Sequence, residues 1–313
     1  MPVNTPTEAR SPRAVVKLAG LVPHLAPDLP GLLTLAERLE EWGADQVVLG
    51  QHLLRSTAGG HPGGVQLHHR RPALDPLVTL GCVAGRTTRL GLATGAVIGP
   101  LHHAVGLAKA AATLDALSGG RLELGLVAGW DRSEFAAVGV PYEERFARLD
   151  ETIDVCRTLW RDAPATFRGR WTEVVDAYSL PAPAREGGVP VLVGGRATEA
   201  TARRVARRAD GWIASESAGV EDVRRAVDLL SAACAREGRA VTDLVIRATL
   251  PAAALRDPDE LPRTATMLLE AGATALVLPL GAVAASPTEA ERAVRGLREV
   301  LADKGAAPVR DRL

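Results

Sequence analysis

Hydrophobic residues along this 313-residue chain follow two alternating patterns. Short continuous apolar runs, such as QVVL at 46–49 and LELGLV at 122–127, are typical of strands that are covered on both faces. Longer segments space apolar residues three or four positions apart, as Leu32, Leu35 and Leu39 are spaced, and predict amphipathic helices. The predicted strands cover residues 15–21, 46–49, 90–98, 122–127, 189–193, 211–214, 244–250 and 273–278. The predicted helices cover residues 31–42, 74–84, 103–117, 144–160, 198–208, 220–236, 258–271 and 288–304.

Strands and helices therefore alternate, with eight strands that are each followed by a helix. Eight such units in about 300 residues favour an α/β fold of the (β/α)8 TIM-barrel type, and a doubly wound open sheet is the alternative. Residues 1–13 are expected to form a disordered lead-in, and residues 14–313 a single domain. The polar stretch 162–188, which is interrupted by glycine and proline, resembles an inserted loop or short hairpin.

Composition argues against several classes of protein. Lys+Arg and Asp+Glu both number 37, so the chain lacks the basic excess of a nucleic-acid-binding protein. No apolar run is long enough to cross a membrane, and the N-terminal stretch has no apolar segment typical of a signal peptide. Cys82, Cys156 and Cys234 are far apart and in no metal-binding spacing, so we expect free thiols that fill the core of a cytoplasmic protein.

The chemistry of a barrel lies at the carboxyl ends of its strands. One such end is the turn GGRAT at 194–198, which joins a predicted strand to a helix. This turn is either a tight connection with a helix cap or a phosphate-binding nest, to which Arg196 and Thr198 add donors. The chain has no P-loop sequence and no G-x-G-x-x-G after its first strand, which argues against a P-loop NTPase and an NAD-binding Rossmann domain.

The histidines are confined to the first third of the chain, at His24, His52, His61, His68, His69, His102 and His103. His52 directly follows a predicted strand, where an imidazole is either structural or a donor and acceptor of protons near neutral pH. Neighbouring side chains on a strand point to opposite faces, so adjacent histidines seldom bind one metal ion. We therefore expect no metal site, and a metal-dependent barrel hydrolase stays an alternative.

Several motifs form a series that is highly specific as a set. They are LSGGRL at 117–122, GLVAGW at 125–130, EFAAVGVP at 134–141 and RFARLDE at 145–151. Together with the stretches 74–98, 189–213 and 270–278, they resemble the bacterial luciferase-like monooxygenase superfamily, and in particular its branch of F420-dependent oxidoreductases. The similarity covers residues 15–300, and it implies a TIM barrel with inserted segments that binds FMN or the deazaflavin F420.

The resemblance also implies roles for individual residues. Gly95–Ala96 matches a bulge where many members have a non-proline cis peptide behind the deazaflavin ring, and His52 matches a histidine at the reactive face. The residues expected to bind the cofactor are Gln51, Thr94, Gly95, Ala96, Ala128, Gly129, Ser133, Gly194, Gly195, Arg196 and Thr198. Those expected in the substrate pocket are His24 and Trp130.

The chain departs from the family pattern at three places. Gln51 stands where an aspartate is common, so a charged partner is replaced by a neutral amide. The segment Leu101–Ala104 lacks the arginine that often follows the bulge. Trp130 replaces the acid of the sugar-phosphate dehydrogenase branch, and the chain has almost no lysine to bind a phosphate, so a sugar phosphate is not the expected substrate.

We therefore expect an F420-dependent oxidoreductase that transfers hydride to or from a small organic substrate, with His52 delivering the proton. The Gly95–Ala96 match, the His52 match and a composition typical of GC-rich coding favour F420. One alternative is an FMNH2-dependent monooxygenase of a two-component system that uses O2. A second alternative is a non-catalytic flavin-binding homologue. The expected partners are a small-molecule substrate, a separate flavin or F420 reductase and a second copy of the chain in a homodimer. We expect no binding to nucleic acid or to a membrane.

Overall fold

The computed structural model describes residues 11–18, 25–26, 28–54, 73–255, 257 and 260–305. Its strands are β1 (Arg13–Leu18), β2 (Gln46–Leu49), β3 (Gly91–Thr94), β4 (Val97–Ile98), β5 (Leu122–Val127), β6 (Ala165–Arg168), β7 (Glu173–Ala177), β8 (Val191–Gly194), β9 (Gly211–Ile213), β10 (Val245–Thr249) and β11 (Ala275–Pro279). Its helices are α1 (Leu29–Glu41), α2 (Pro76–Ala84), α3 (Ala104–Ser118), α4 (Arg132–Ala137), α5 (Arg145–Arg161), α6 (Glu199–Arg208), α7 (Val220–Arg236), α8 (Glu260–Glu270), α9 (Leu280–Val283) and α10 (Pro287–Asp303).

Parallel strands close into an eight-stranded barrel. The order around the barrel is β1, β2, β3, β5, β8, β9, β10 and β11, and the ring closes where β11 pairs with β1. Strand β4 pairs with β5 beyond the end of β3, so β3 and β4 act as one barrel strand that is interrupted at Gly95 and Ala96. This arrangement confirms the predicted TIM barrel, and the closed ring excludes the doubly wound open sheet.

Side chains along each barrel strand alternate between two buried environments. Val16 and Val47 belong to the main core, which includes residues of the surrounding helices. Val15, Val48 and Val277 belong to a smaller cluster formed by the barrel strands themselves. Because both faces of the strands are buried, the strand sequences are continuously apolar.

Local capping residues set the helix boundaries. The Asp28 side chain accepts a hydrogen bond from the Gly31 N–H at 2.8 Å, so α1 begins at Leu29 rather than at the predicted Gly31. At the other end of a helix, Gly119 has a φ of 67°, and this left-handed conformation ends α3 after Ser118.

The stretch 162–188 contains the antiparallel hairpin of β6 and β7, which confirms the predicted hairpin. The Glu151 carboxylate on α5 accepts hydrogen bonds from the N–H groups of Arg170 (2.7 Å) and Trp171 (2.9 Å) at the hairpin turn. The hairpin is therefore anchored on the outside of the barrel. A short helix, α4, lies where the sequence predicted only irregular structure, and the Asp131 side chain caps it.

Two cysteines fit the prediction that the thiols fill the core, and one does not. Cys156 and Cys234 are buried, and burial raises the pKa of the Cys156 thiol to about 12. Cys82 is exposed on α2, so its interpretation as core filler was wrong. The apolar face of this short helix passes through its neighbours Thr79, Leu80 and Val83, which are buried, and leaves Cys82 towards solvent.

Some predictions concern residues beyond the described part of the chain. The proposed lead-in lies mostly there, because β1 already begins at Arg13, and His24 also lies outside the described residues. Among the helices that the structure describes, none is long and apolar enough to cross a membrane.

Candidate active site

A cavity of about 220 Å³ lies on the barrel axis. Every barrel strand, or the residue directly after it, contributes to its wall: Lys17, Val48, Gly95, Val127, Gly194, Ile213, Thr249 and Val277. These positions lie at the carboxyl ends of the strands, the end of the barrel where TIM-barrel enzymes have their active sites. The loop residues Ser215, Glu216 and Ser217 complete the wall on one side.

Four residues predicted to bind the cofactor meet in this cavity: Gly95, Ala96, Gly194 and Gly195. The Gly95–Ala96 peptide bond is cis, as the resemblance implied. At Gly194 a Cβ atom would lie only 2.7 Å from the Val127 Cγ1, so a side chain there would have to displace the wall. Glycine at this position keeps backbone, rather than side chains, at the surface of the cavity.

The turn after β8 presents fewer free N–H groups than a full phosphate nest. Gly195 has a φ of 145°, and its N–H donates to the Ile213 carbonyl at 3.2 Å. The Thr198 hydroxyl accepts from the Thr201 N–H at 3.2 Å and caps α6. Arg196 is exposed and makes no side-chain interaction with the described residues, so its guanidinium and the first turn of α6 are the donors left for an anion.

Gln51 lies behind the cavity rather than in its wall. It is buried, and its Oε1 accepts a hydrogen bond from the Ile98 N–H at 3.0 Å and lies 2.9 Å from His102 Nε2. The Gln51 N–H donates to the Ala96 carbonyl at 3.1 Å. The amide that replaces a common aspartate therefore holds the segment after the cis bond. Thr94 is also fully buried and has a similar supporting place.

His52 faces a buried carboxylate. Its Nδ1 lies 3.4 Å from Glu134 Oε2, and neither of these buried atoms makes a hydrogen bond in the described part of the chain. The other oxygen of Glu134 accepts from the N–H groups of Leu53 (2.6 Å) and Leu54 (3.2 Å). The Trp130 ring packs edge-on against His52 with the ring centres 5.9 Å apart. Glu134 thus holds the backbone that follows His52, and its second oxygen lies beside the imidazole.

Three residues of the turn after β5 that were predicted to bind the cofactor, Ala128, Gly129 and Ser133, are not part of the described cavity wall. The Ser133 hydroxyl donates to Asp131 Oδ1 at 2.6 Å, so this side chain helps to cap α4. Gly129 has a φ of 81°, and a Cβ atom there would lie 2.7 Å from Ile98. Ala128 is buried. The predicted contacts of Ala128, Gly129 and Ser133 with a cofactor stay predictions.

Sequence reasoning missed two charged groups on the barrel axis. Lys17 lines the cavity, and its ammonium contacts the carboxylate of Glu216. Burial lowers the pKa of Lys17 from 10.5 to about 8. The only sequence signal for Lys17 was a single charge inside the apolar run VVKLAGL.

The second missed group lies deeper, below the cavity. The Arg247 Nη2 contacts the Glu123 carboxylate and donates to Gln46 Oε1 at 3.0 Å. Arg13 holds the other oxygen of Glu123 at 3.0 Å. Burial alone would raise the pKa of Glu123, but Arg13 and Arg247 outweigh it and hold this pKa at about 2. Arg247 also reaches the cavity wall, and its buried Nε has no acceptor among the described residues.

Metal-binding groups do not gather in the described part of the chain. No three or more histidine, cysteine, aspartate or glutamate side chains there are placed to hold one ion. The polar side chains that line this cavity are Lys17, Ser215, Glu216, Ser217, Arg247 and Thr249.

Curated relatives include enzymes with different cofactors. An F420-dependent glucose-6-phosphate dehydrogenase of Amycolatopsis mediterranei is 34% identical over 196 residues, which are 61% of this chain and 54% of that protein. An FMNH2-dependent dimethylsulfone monooxygenase of Pseudomonas fluorescens is 30% identical over 244 residues, which are 72% of this chain and 62% of that protein. Each alignment spans less than two thirds of the relative's own length.

Solved structures share the fold. The crystal structure of the monooxygenase RslO1 from Streptomyces bottropensis matches with a TM-score of 0.77 at 22% identity, over 94% of this chain and 100% of that chain. A family model described as luciferase-like monooxygenase matches residues 13–297. With a barrel that opens on a glycine-walled axial cavity and a family match over most of its length, the chain belongs to the luciferase-like monooxygenase family.

Proposed function

We propose that this chain is an F420-dependent oxidoreductase that transfers hydride to or from a small organic substrate, with the ring of the cofactor held in the axial cavity. The observation that carries the proposal is the cavity itself. Its wall unites the predicted residues Gly95, Ala96, Gly194 and Gly195 at the active-site end of the barrel.

The residues present fit a planar heteroaromatic ring. Val48, Val127, Ile213 and Val277 give the cavity apolar walls, which suit the faces of such a ring. Arg247 contributes a buried Nε–H without an acceptor, and an unmade hydrogen bond of this kind is costly unless a ligand completes it. Ring nitrogen and carbonyl oxygen atoms of a deazaflavin or flavin are acceptors of the required type.

The rim of the cavity fits a phosphorylated tail. Arg196 is exposed directly after the cavity-lining Gly195, and two residues separate it from Glu199, where α6 begins. A guanidinium and a helix N-terminus both favour an anion. This arrangement supports the predicted role of Arg196 in holding the phosphate of the cofactor.

His52 is the proposed proton donor. Bound F420H2 supplies a hydride, and the protein supplies position, a water-poor site and the proton. Because Nδ1 lies 3.4 Å from the Glu134 carboxylate, Nε2 is the nitrogen that we propose gives or takes the proton. The Trp130 ring packs against the imidazole, and the His52 side chain is 19% exposed.

The second candidate is an FMNH2-dependent monooxygenase that receives reduced flavin from a separate reductase. The alignment with the dimethylsulfone monooxygenase, which covers 72% of this chain, favours it. The apolar walls and Arg247 serve an isoalloxazine ring equally well. In both cases the substrate is a small molecule and a homodimer is the expected assembly.

Titration of the purified cofactor-free protein with F420 and with FMN, each oxidised and reduced, tests the proposal. Isothermal titration calorimetry should show saturable binding of F420 that is tighter than binding of FMN. Thr249→Trp, which places an indole in the cavity wall, should weaken F420 binding at least about tenfold, a loss of 1.4 kcal/mol. Thr166→Trp on the outer hairpin is the matched control and should bind as the wild type does.

The outcomes separate the candidates. Tighter binding of reduced FMN moves the assignment to the monooxygenase. Binding of neither cofactor, by a protein whose circular dichroism shows it folded, contradicts both candidates. Binding of F420 without turnover over a panel of alcohols, ketones and enones favours the non-catalytic homologue.

A further inference from the structure

The Lys17–Glu216 ion pair spans the mouth of the axial cavity. Lys17 is on β1, and Glu216 lies in the loop after β9. Two barrel strands, β10 and β11, separate β1 from β9 in the sheet. The pair therefore passes over Thr249 and Val277, the cavity-lining residues of those two strands.

The two partners of this ion pair differ in their exposure to solvent, so loss of the contact affects them differently. The Lys17 side chain is 19% exposed, whereas the Glu216 side chain is 56% exposed. When the pair opens, the Glu216 carboxylate regains water. Lys17 stays in a poorly hydrated wall, where burial lowers its pKa to about 8, so its charged form needs a replacement anion.

Among the described residues, no other carboxylate of the cavity wall can supply that charge. Glu123 already holds both Arg13 and Arg247. Of the described residues that line the cavity, Lys17 and Arg247 are the cations and Glu216 is the only carboxylate. Removal of Glu216 leaves the charged form of Lys17 without its counterion, and an anionic group of a ligand can take that place.

We propose that Lys17 is an anion-binding subsite, and that a carboxylate or similar anionic group of the substrate replaces Glu216 on the Lys17 Nζ. The inference rests on the proposed function, because it assigns the substrate to the β1 side of the cavity in which the cofactor ring is also held. Glu216 acts as a counterion that the ligand displaces. The enzyme accordingly selects anionic over neutral substrates of the same shape.

Benzoate and its neutral analogue benzamide are matched probes for this subsite. Isothermal titration calorimetry measures both, in the cofactor-free protein and in the protein saturated with F420 or FMN. In at least one of these forms we expect wild-type protein to bind benzoate at least about tenfold more tightly than benzamide, the increment typical of one charge-assisted hydrogen bond. Benzoate should not displace the cofactor.

Three variants assign the preference to the pair. Lys17→Met should reduce benzoate binding to the level of benzamide. Glu216→Gln removes the competing carboxylate and should tighten benzoate binding roughly threefold to tenfold while leaving benzamide unchanged. Lys304→Met removes a lysine at the end of the last helix and should behave as the wild type does. Circular dichroism and thermal unfolding verify that each variant is folded.

Several results overturn the proposal. They are equal binding of benzoate and benzamide in every form, absence of benzoate binding, an unchanged preference in folded Lys17→Met, and competition of benzoate with the cofactor. Failure of the proposed function has a different signature. If neither cofactor binds but benzoate is preferred through Lys17, the subsite stands and the assignment of the cofactor falls.

Discussion

Two ion pairs lie along the same barrel axis and differ in almost every other respect. The Arg247 and Glu123 side chains of the lower pair are 1% and 5% exposed, and Arg13 and Gln46 also bind them. The Lys17–Glu216 pair at the mouth is 19% and 56% exposed. Its partners have no further ion pair in the described part of the chain.

The comparison shows that two ion pairs of similar chemistry can differ in their contribution to stability and to ligand binding. A buried pair is costly to break, because the remaining charge has no water to replace its partner. A partly exposed pair contributes little to stability, because solvent competes for both groups. We therefore expect loss of one partner to be costly in the lower pair, whereas the upper pair has the exposure that the proposed exchange with a ligand needs.

Removal of the lower carboxylate gives the largest expected effect. Glu123→Gln leaves Arg13 and Arg247 without their shared counterion, and we expect the free energy of unfolding to fall by about 3–5 kcal/mol. Urea unfolding followed by circular dichroism measures this loss. If the free energy of unfolding falls by less than about 1 kcal/mol, as for an exposed pair, the two ion pairs do not differ in their contribution to stability.

Acid should weaken the lower pair in a defined range of pH. The pKa of Glu123 is lowered from 4.5 to about 2, so the carboxylate stabilises the fold above pH 4.5 and loses this contribution as the pH falls towards 2. The contribution amounts to at most about 3 kcal/mol. The difference in unfolding free energy between wild type and Glu123→Gln should therefore shrink as the pH is lowered through this range. A difference that is constant with pH contradicts the assignment.

The contact between His52 and Glu134 is intermediate between these two ion pairs, because Glu134 is fully buried and His52 is partly exposed. His52→Ala should lower kcat at least about 100-fold, the lower end of the contribution of a general acid or base. His103→Ala, an exposed histidine at the start of α3, is the control and should leave kcat unchanged. Steady-state kinetics with the cofactor that binds measures both. An unchanged kcat in folded His52→Ala removes this residue from the mechanism.

The smallest effect is expected at the mouth. Glu216→Gln should change the free energy of unfolding by less than about 1 kcal/mol, because its carboxylate is mostly hydrated. The same urea titration used for Glu123→Gln measures it. A loss as large as that of Glu123→Gln would make the Lys17–Glu216 pair structural, contrary to its proposed exchange with a ligand.

The sequence predicted the framework well, because strand burial and helix periodicity are local signals. Strands 46–49 and 122–127 and helix 220–236 have the predicted bounds. The cis bond at Gly95–Ala96 was found through family resemblance and not through any local pattern.

The charges of the site were less accessible to sequence reasoning. Lys17 and Glu216 are 199 positions apart, so only the closure of the barrel brings them together. In the sequence, Glu134 is only one residue of a family motif. Its contact with His52 depends on how α4 packs after β5, which the motif does not show. The hydrogen bonds of Gln51 to Ile98 and of Ser133 to Asp131 were not visible in the sequence, and the expected contacts of these two residues with a cofactor stay predictions.

A crystal structure of the protein grown with F420 tests the central claim most directly. The account predicts electron density for the ring in the axial cavity, between the Gly95–Ala96 and Gly194–Gly195 segments and beside Arg247. Density for the ring at any other place on a folded barrel, with the axial cavity filled only by water, would contradict it.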